Sequence, residues 1–116
     1  MIFVIDDDIV MAKLISKATN LFDVQIFTNA IDAMNAIAGG VLPDLIFLDV
    51  LLDGPDGFTF LNEMVSYTDT VKIPVVVVSS LDLTQKNLEE YGVVGVLAKE
   101  KMYPEEIKEY VSRYAK

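Results

Sequence analysis

Three consecutive aspartates, Asp6, Asp7 and Asp8, close the first apolar run of this chain. Other reactive side chains close later runs: Asp49 the third, Ser79 and Ser80 the fourth, and Lys99 the fifth. The sequence contains neither histidine nor cysteine, which removes the commonest catalytic base and the soft metal ligands together. Carboxylates gathered in one place repel by about 1 kcal/mol or more per pair, so they must raise their pKa values, spread into solvent or hold a cation. With only oxygen donors at hand, a hard hexacoordinate ion such as Mg²⁺ is the natural occupant. A metal beside a carboxylate, a hydroxyl and an ammonium is a kit for phosphoryl transfer: the carboxylate attacks phosphorus, and the cations neutralise the equatorial oxygens. Capping or solvation explains any one of these residues alone, and Asp8 in particular suits an N-cap. The set is more telling than its members.

Five apolar runs must bring these residues together: Ile2 to Ile5, Val24 to Phe27, Leu45 to Leu48, Val75 to Val78 and Val93 to Ala98. Several are continuous in Val and Ile rather than alternating, as strands buried on both faces of a parallel sheet are. Helical periodicity fills the gaps. Val10, Leu14, Ile15 and Ala18 stripe the first helix, and Ile31, Met34, Ile37 and Ala38 the second, which stops at Gly39-Gly40. Phe58, Leu61, Met64 and Val65 stripe the third; a weaker fourth runs from about Leu83 to Tyr91. The fifth starts near Pro104 and buries Ile107, Tyr110, Val111 and Tyr114, with proline at a favoured first position. Five alternations of strand and helix predict an open, doubly wound α/β sheet with right-handed crossovers. In such sheets function gathers beyond the C-terminal strand ends, where these reactive residues fall.

The 116 residues fit one domain, 1–116, and the 53% apolar content is ample for a core. A net charge of -9 argues against direct binding to nucleic acid or an anionic membrane. No apolar run approaches the ~20 residues of a spanning helix, and the N-terminus lacks the basic region of a signal peptide. A soluble cytoplasmic protein is the simplest expectation.

The sequence resembles the receiver domain of two-component response regulators from Ile2 to about Tyr114. The matching motifs are VIDDD at the first strand, LIFLDVLLDGPDGF around the third, IPVVVVSS at the fourth and GVVGVLAK at the fifth. The resemblance implies a flavodoxin-like, five-stranded parallel sheet of order 2-1-3-4-5 flanked by five helices. It implies that Asp49 is the phosphoacceptor and that Mg²⁺ (or Mn²⁺) is held by Asp7 directly, by Asp6 through water, by Asp49 and by the backbone carbonyl of Leu51. Ser79 matches the hydroxyl residue that follows the phosphoryl group, Ser80 the small residue after it, and Lys99 the lysine that pairs with phosphoryl oxygens. A histidine kinase or phosphotransfer protein would be the donor, and an unidentified protein would read the result. With the chain ending at the fifth helix, no output domain is expected. Self-phosphorylation and self-dephosphorylation would be its only chemistry.

Four positions depart from the family pattern. Glu100 replaces the proline that usually follows the lysine, often through a cis peptide; a cis bond before a non-proline residue costs ~3 kcal/mol, so the loop is either trans and reshaped or strained. Val96 replaces an aromatic residue that swings inward on phosphorylation, and a valine has one preferred rotamer and little reach. Asp53 replaces a proline, with Pro55 nearby, and Gly54-Pro55-Asp56-Gly57 still reads as a turn. Leu51 and Leu81 flank the expected path of the hydrolytic water, and two leucines there should slow loss of the phosphoryl group. The alternatives are a pseudo-receiver that only binds proteins, supported by Glu100 and Val96, and a flavin-binding electron carrier. The latter is disfavoured because three aspartates after the first strand would repel a flavin phosphate.

Overall fold

The computed structural model describes residues 1–19, 22–50, 57–80 and 88–115. The strands are β1 (Ile2–Ile5), β2 (Val24–Phe27), β3 (Leu45–Leu48), β4 (Val75–Ser79) and β5 (Val93–Ala98). They form one parallel sheet of order β2-β1-β3-β4-β5. The helices are α1 (Ile9–Ala18), α2 (Ala30–Ala38), α3 (Gly57–Val65) and α4 (Pro104–Tyr114). These are four α-helices among the described residues, against five expected. Positions 83–87 of the expected fourth helix lie outside the described residues, and its end, Glu89–Tyr91, is a 3₁₀ turn. That turn stops at Gly92, whose φ of 79° is left-handed and suits glycine.

The continuous runs are buried on both faces, as their composition requires. Phe3, Ile5, Ile46, Leu48, Val75 and Val77 pack under α2 and α3 with Phe60, Leu61 and Met64. Ile2, Val4, Leu45, Phe47, Val76 and Val78 pack under α1 and α4 with Ala12, Ile15, Ile107 and Val111. The α4 stripe stands as its periodicity predicts. The α1 stripe stands only in part: Ile15 is buried and Ala18 packs against the core, but Val10 is 78% and Leu14 45% exposed, and Ala12 faces the sheet instead. Apolar residues surround α1 on more than one side, so periodicity leaves two faces open, and small Ala12 lets the helix approach closely. Ile31 and Phe58 are likewise exposed, while Ala30, Ala33 and Phe60 are buried in their place.

Two local devices set the strand ends. Between β4 and β5 the register shifts, with Val75 opposite Val93 and Val76 opposite Gly95, which leaves Val94 as an extra residue. Val96 thus pairs with Val77 and packs, half-buried, against the core beneath α2 and α3. At the start of α3, the Gly57 amide donates to the Val50 carbonyl at 3.1 Å. A Cβ on Gly57 would lie 2.4 Å from Val50 Cα and 2.8 Å from the Asp49 carbonyl oxygen. Neither backbone can yield without moving the end of β3, so Gly57→Ala is expected to cost about 3 kcal/mol, read from the midpoint of urea unfolding.

Candidate functional site

Each reactive residue is fixed by the sheet before its side chain is considered. Asp6 and Asp49 stand one residue beyond β1 and β3. The Asp6 amide donates to the Phe27 carbonyl and the Asp49 amide to the Ile5 carbonyl, both at 2.9 Å. Both residues therefore continue the ladder and cannot turn into solvent; Asp6 is 1% and Asp49 3% exposed. Ser79 closes β4, fully buried, and its register partner is Ala98, the residue before Lys99. Asp7 and Ser80 are exposed. Asp8 caps α1, its Oδ1 accepting from the amides of Val10 at 3.0 Å and Met11 at 3.2 Å.

Lys99 joins the acids. Its Nζ lies 2.9 Å from Asp49 Oδ2 and 3.2 Å from Asp6 Oδ2, and it donates to Asp6 Oδ1 at 3.4 Å. Asp6 Oδ1 also accepts from the Asp8 amide at 2.9 Å. Asp6 Oδ2, although within ion-pair reach of Lys99, is a buried oxygen without a hydrogen bond among the described residues. Burial pushes the Asp6 carboxyl above the usual carboxylate range, and the charge of Asp49 adds to this; the Asp8 amide and Lys99 pull the other way without cancelling it. For Lys99, burial alone would lower the pKa. The hydrogen bond to Asp49 and the charges of Asp6 and Asp49 outweigh it and hold the ammonium above its ordinary value.

A raised Asp6 pKa means that the folded state holds the proton more tightly than the unfolded one. The resulting stability is full below the unfolded pKa of about 3.9 and is lost as pH rises through the folded value. At neutral pH Asp6 is therefore a burden. Asp6→Asn is expected to be more stable than the parent by on the order of 1 kcal/mol at pH 7 without divalent cations. The difference should vanish near the acid end of a urea-unfolding series run against pH.

Asp6, Asp7 and Asp49 can each offer one oxygen, all within 4.8 Å of one another. Two of the three are buried, and among the described residues one buried oxygen, Asp6 Oδ2, has no hydrogen bond. This all-oxygen, strongly negative donor set fits a hard divalent cation. Of the residues expected at the site from sequence, Asp6, Asp49, Ser79 and Lys99 stand on adjacent strand ends, and Asp7 adds its carboxylate. Leu51 and Leu81 lie outside the described residues, as do Asp53, Gly54, Pro55 and Asp56. The Lys99–Glu100 peptide is trans, and Lys99–Lys101 forms a 3₁₀ turn, so the trans geometry is the one adopted. Sequence reading missed two supports. Asp8 steadies Asp6 through its amide, for which a carboxylate two residues before an amide is the only sequence signal. Lys99 also bridges the Asp6 and Asp49 carboxylates, a pairing the sequence reading did not include.

The DNA-binding dual master transcriptional regulator RpaA of Synechocystis is 33% identical over 94 residues, covering 78% of this chain and 38% of the relative. Response regulator PleD of Caulobacter vibrioides is 45% identical over 47 residues, covering 40% of this chain and 10% of that relative, so the chain matches well under half the length of either curated relative. Among solved structures, a putative response regulator from Chloroflexus aurantiacus superposes with a TM-score of 0.84 at 23% identity, covering 97% of this chain and 93% of that one. The Mn²⁺-bound form of response regulator Rcp1 superposes with a TM-score of 0.79 at 21% identity, covering 96% and 91%. At these identities the structures establish the shared fold. A family model, the response regulator receiver domain, matches residues 2–112, and it is to this family that the chain belongs.

Proposed function

We propose that the domain is a phosphorylation switch in which Asp49 accepts a phosphoryl group from the phosphohistidine of a histidine kinase or phosphotransfer protein. The observation that carries this reading is the pair of buried carboxylates, Asp6 and Asp49, bridged by Lys99 at 3.2 and 2.9 Å. An Asp49 carboxylate oxygen attacks phosphorus, the donor's N–P bond breaks, and the departing imidazole keeps the bonding pair and takes a proton from solvent. Lys99 already sits against the attacking carboxylate, so a small displacement carries its ammonium onto the phosphoryl oxygens. Ser79 supplies a hydroxyl that donates to one of them. Asp6, Asp7 and Asp49, with the backbone carbonyl of Leu51, would hold Mg²⁺ (or Mn²⁺), whose charge offsets that of the phosphoryl oxygens.

The surroundings suit a protein donor. Ile9, Val10 and Leu14 of α1 are 43%, 78% and 45% exposed and follow the acidic turn directly, giving an incoming protein apolar surface beside the pocket. The product would be read by a downstream protein through a shift between two conformations. A cytoplasmic setting fits such donors, and among the described residues no helix is long and apolar enough to cross a membrane.

The pseudo-receiver is the second reading, favoured by the trans Lys99–Glu100 peptide and by Val96 in place of an aromatic residue. Intact mass after incubation with acetyl phosphate separates the two. The switch should gain one phosphoryl group with Mg²⁺ and lose the gain in EDTA, whereas no gain in either condition would leave the pseudo-receiver standing.

A further inference from the structure

We propose that the groove between α2 and α3 receives a short basic, amphipathic segment of a partner protein. The groove encloses about 400 Å³. Helices in a parallel α/β sheet run opposite to the strands, so the C-terminal halves of α2 and α3 lie at the end of the sheet away from Asp49. The site is therefore separate from the phosphoryl pocket, and the inference does not depend on phosphoryl uptake.

Its chemistry is selective. Met34 and Ile37 of α2 and Met64 of α3 line it, and unbranched thioethers adapt to varied apolar side chains. Tyr67, 59% exposed, stands at the edge, as aromatic anchors do in interfaces. Thr70 is buried in the lining, but its hydroxyl donates to the Met64 carbonyl at 2.5 Å, so the floor asks for no polar partner there. Among the described residues, the charged side chains lining the groove are Glu63 and Asp69, both exposed; exposed Asn35 lines it too, and no Lys or Arg does. The larger groove near β5 differs, mixing Asp44 and Glu89 with Lys72 and Arg113. An apolar floor whose charged rim residues are both acidic complements a segment that inserts aliphatic or aromatic side chains and flanks them with Lys or Arg. The net charge of -9 steers such a segment toward the protein, and the rim determines where it docks.

The test is an amide chemical-shift titration of the full chain with a Leu/Lys peptide carrying leucines at i, i+3, i+4 and i+7, and with its Leu/Glu counterpart. Saturable shifts are expected at Met34, Ile37, Met64 and Tyr67 with the Leu/Lys peptide and not with the other. Reversing the rim with Glu63→Lys and Asp69→Lys should weaken binding by about tenfold or more. Asp23→Lys with Glu105→Lys makes the same change in net charge at exposed positions elsewhere and should weaken it by about twofold at physiological salt. Tyr67→Ala should weaken binding without changing the charge. Equal weakening by the two charge-reversal pairs would reduce the effect to general attraction and overturn the proposal. So would shifts centred outside the groove, or groove shifts that follow protein concentration without peptide, which would place a second copy there.

Discussion

An Asp49→Asn chain is expected to gain no phosphoryl group from acetyl phosphate under conditions that convert the parent. The amide nitrogen shares its lone pair with the carbonyl, so the side chain loses its nucleophile while keeping its shape. A fall of about 10³-fold or more, equivalent to about 4 kcal/mol of barrier, would put the adduct below detection by intact mass. The fold should survive, because the Asp49 amide keeps its bond to the Ile5 carbonyl and Lys99 keeps Asp6. An adduct persisting at half the parent level would move the acceptor to another residue, with Ser79, Ser80 and Asp7 the first to examine.

Lys99→Met is expected to damage stability and chemistry together. It leaves the buried Asp6 and Asp49 carboxylates facing each other without the ammonium now 3.2 and 2.9 Å away. Stripping one partner from a buried pair typically costs 3 kcal/mol or more, so a loss of about 3 kcal/mol at pH 7 is expected in urea unfolding. Mg²⁺ should restore part of it by supplying a substitute charge. The raised Lys99 pKa fixes the pH dependence. Its contribution is full below the unfolded lysine value of about 10.4 and is lost as pH rises through the folded value, so parent and variant should converge at strongly alkaline pH. The rate of phosphoryl uptake should fall by about 10²-fold, the scale for removing one preorganised positive group. Unchanged stability at pH 7 would mean that the Lys99 bridge carries no weight.

The sheet was legible because β1, β3 and β4 are buried on both faces and read as continuous apolar runs, whereas β2, with Gln25 and Ile26 exposed, was legible from its place in the alternation of strands and helices. The convergence of Asp6, Asp49, Ser79 and Lys99 followed from the same alternation, since strand ends in a parallel sheet share an edge. The α1 face was read correctly at Ile15 and Ala18 but not at Val10 and Leu14, for a physical reason: Ile9, Val10, Met11, Ala12, Leu14 and Ile15 leave little polar contrast, and the choice among faces falls to packing, which favours Ala12 and Ile15. The Lys99 bridge was half legible. Its pairing with Asp6 spans 93 residues in sequence and depends on how far the lysine reaches across β1 and β3, which no local pattern encodes. Glu100 left two loop geometries open in the sequence, and the trans peptide with its 3₁₀ turn is the one observed.

Asp49 as acceptor is tested most directly by trapping the acyl phosphate. After incubation with acetyl phosphate and Mg²⁺, borohydride reduces an aspartyl phosphate to homoserine, and peptide mass spectrometry then locates the change. Homoserine at position 49, absent when Mg²⁺ is withheld, is the expected result. Unmodified Asp49 in a sample that has nonetheless gained a phosphoryl group, or homoserine at Asp6 or Asp7 instead, would contradict it.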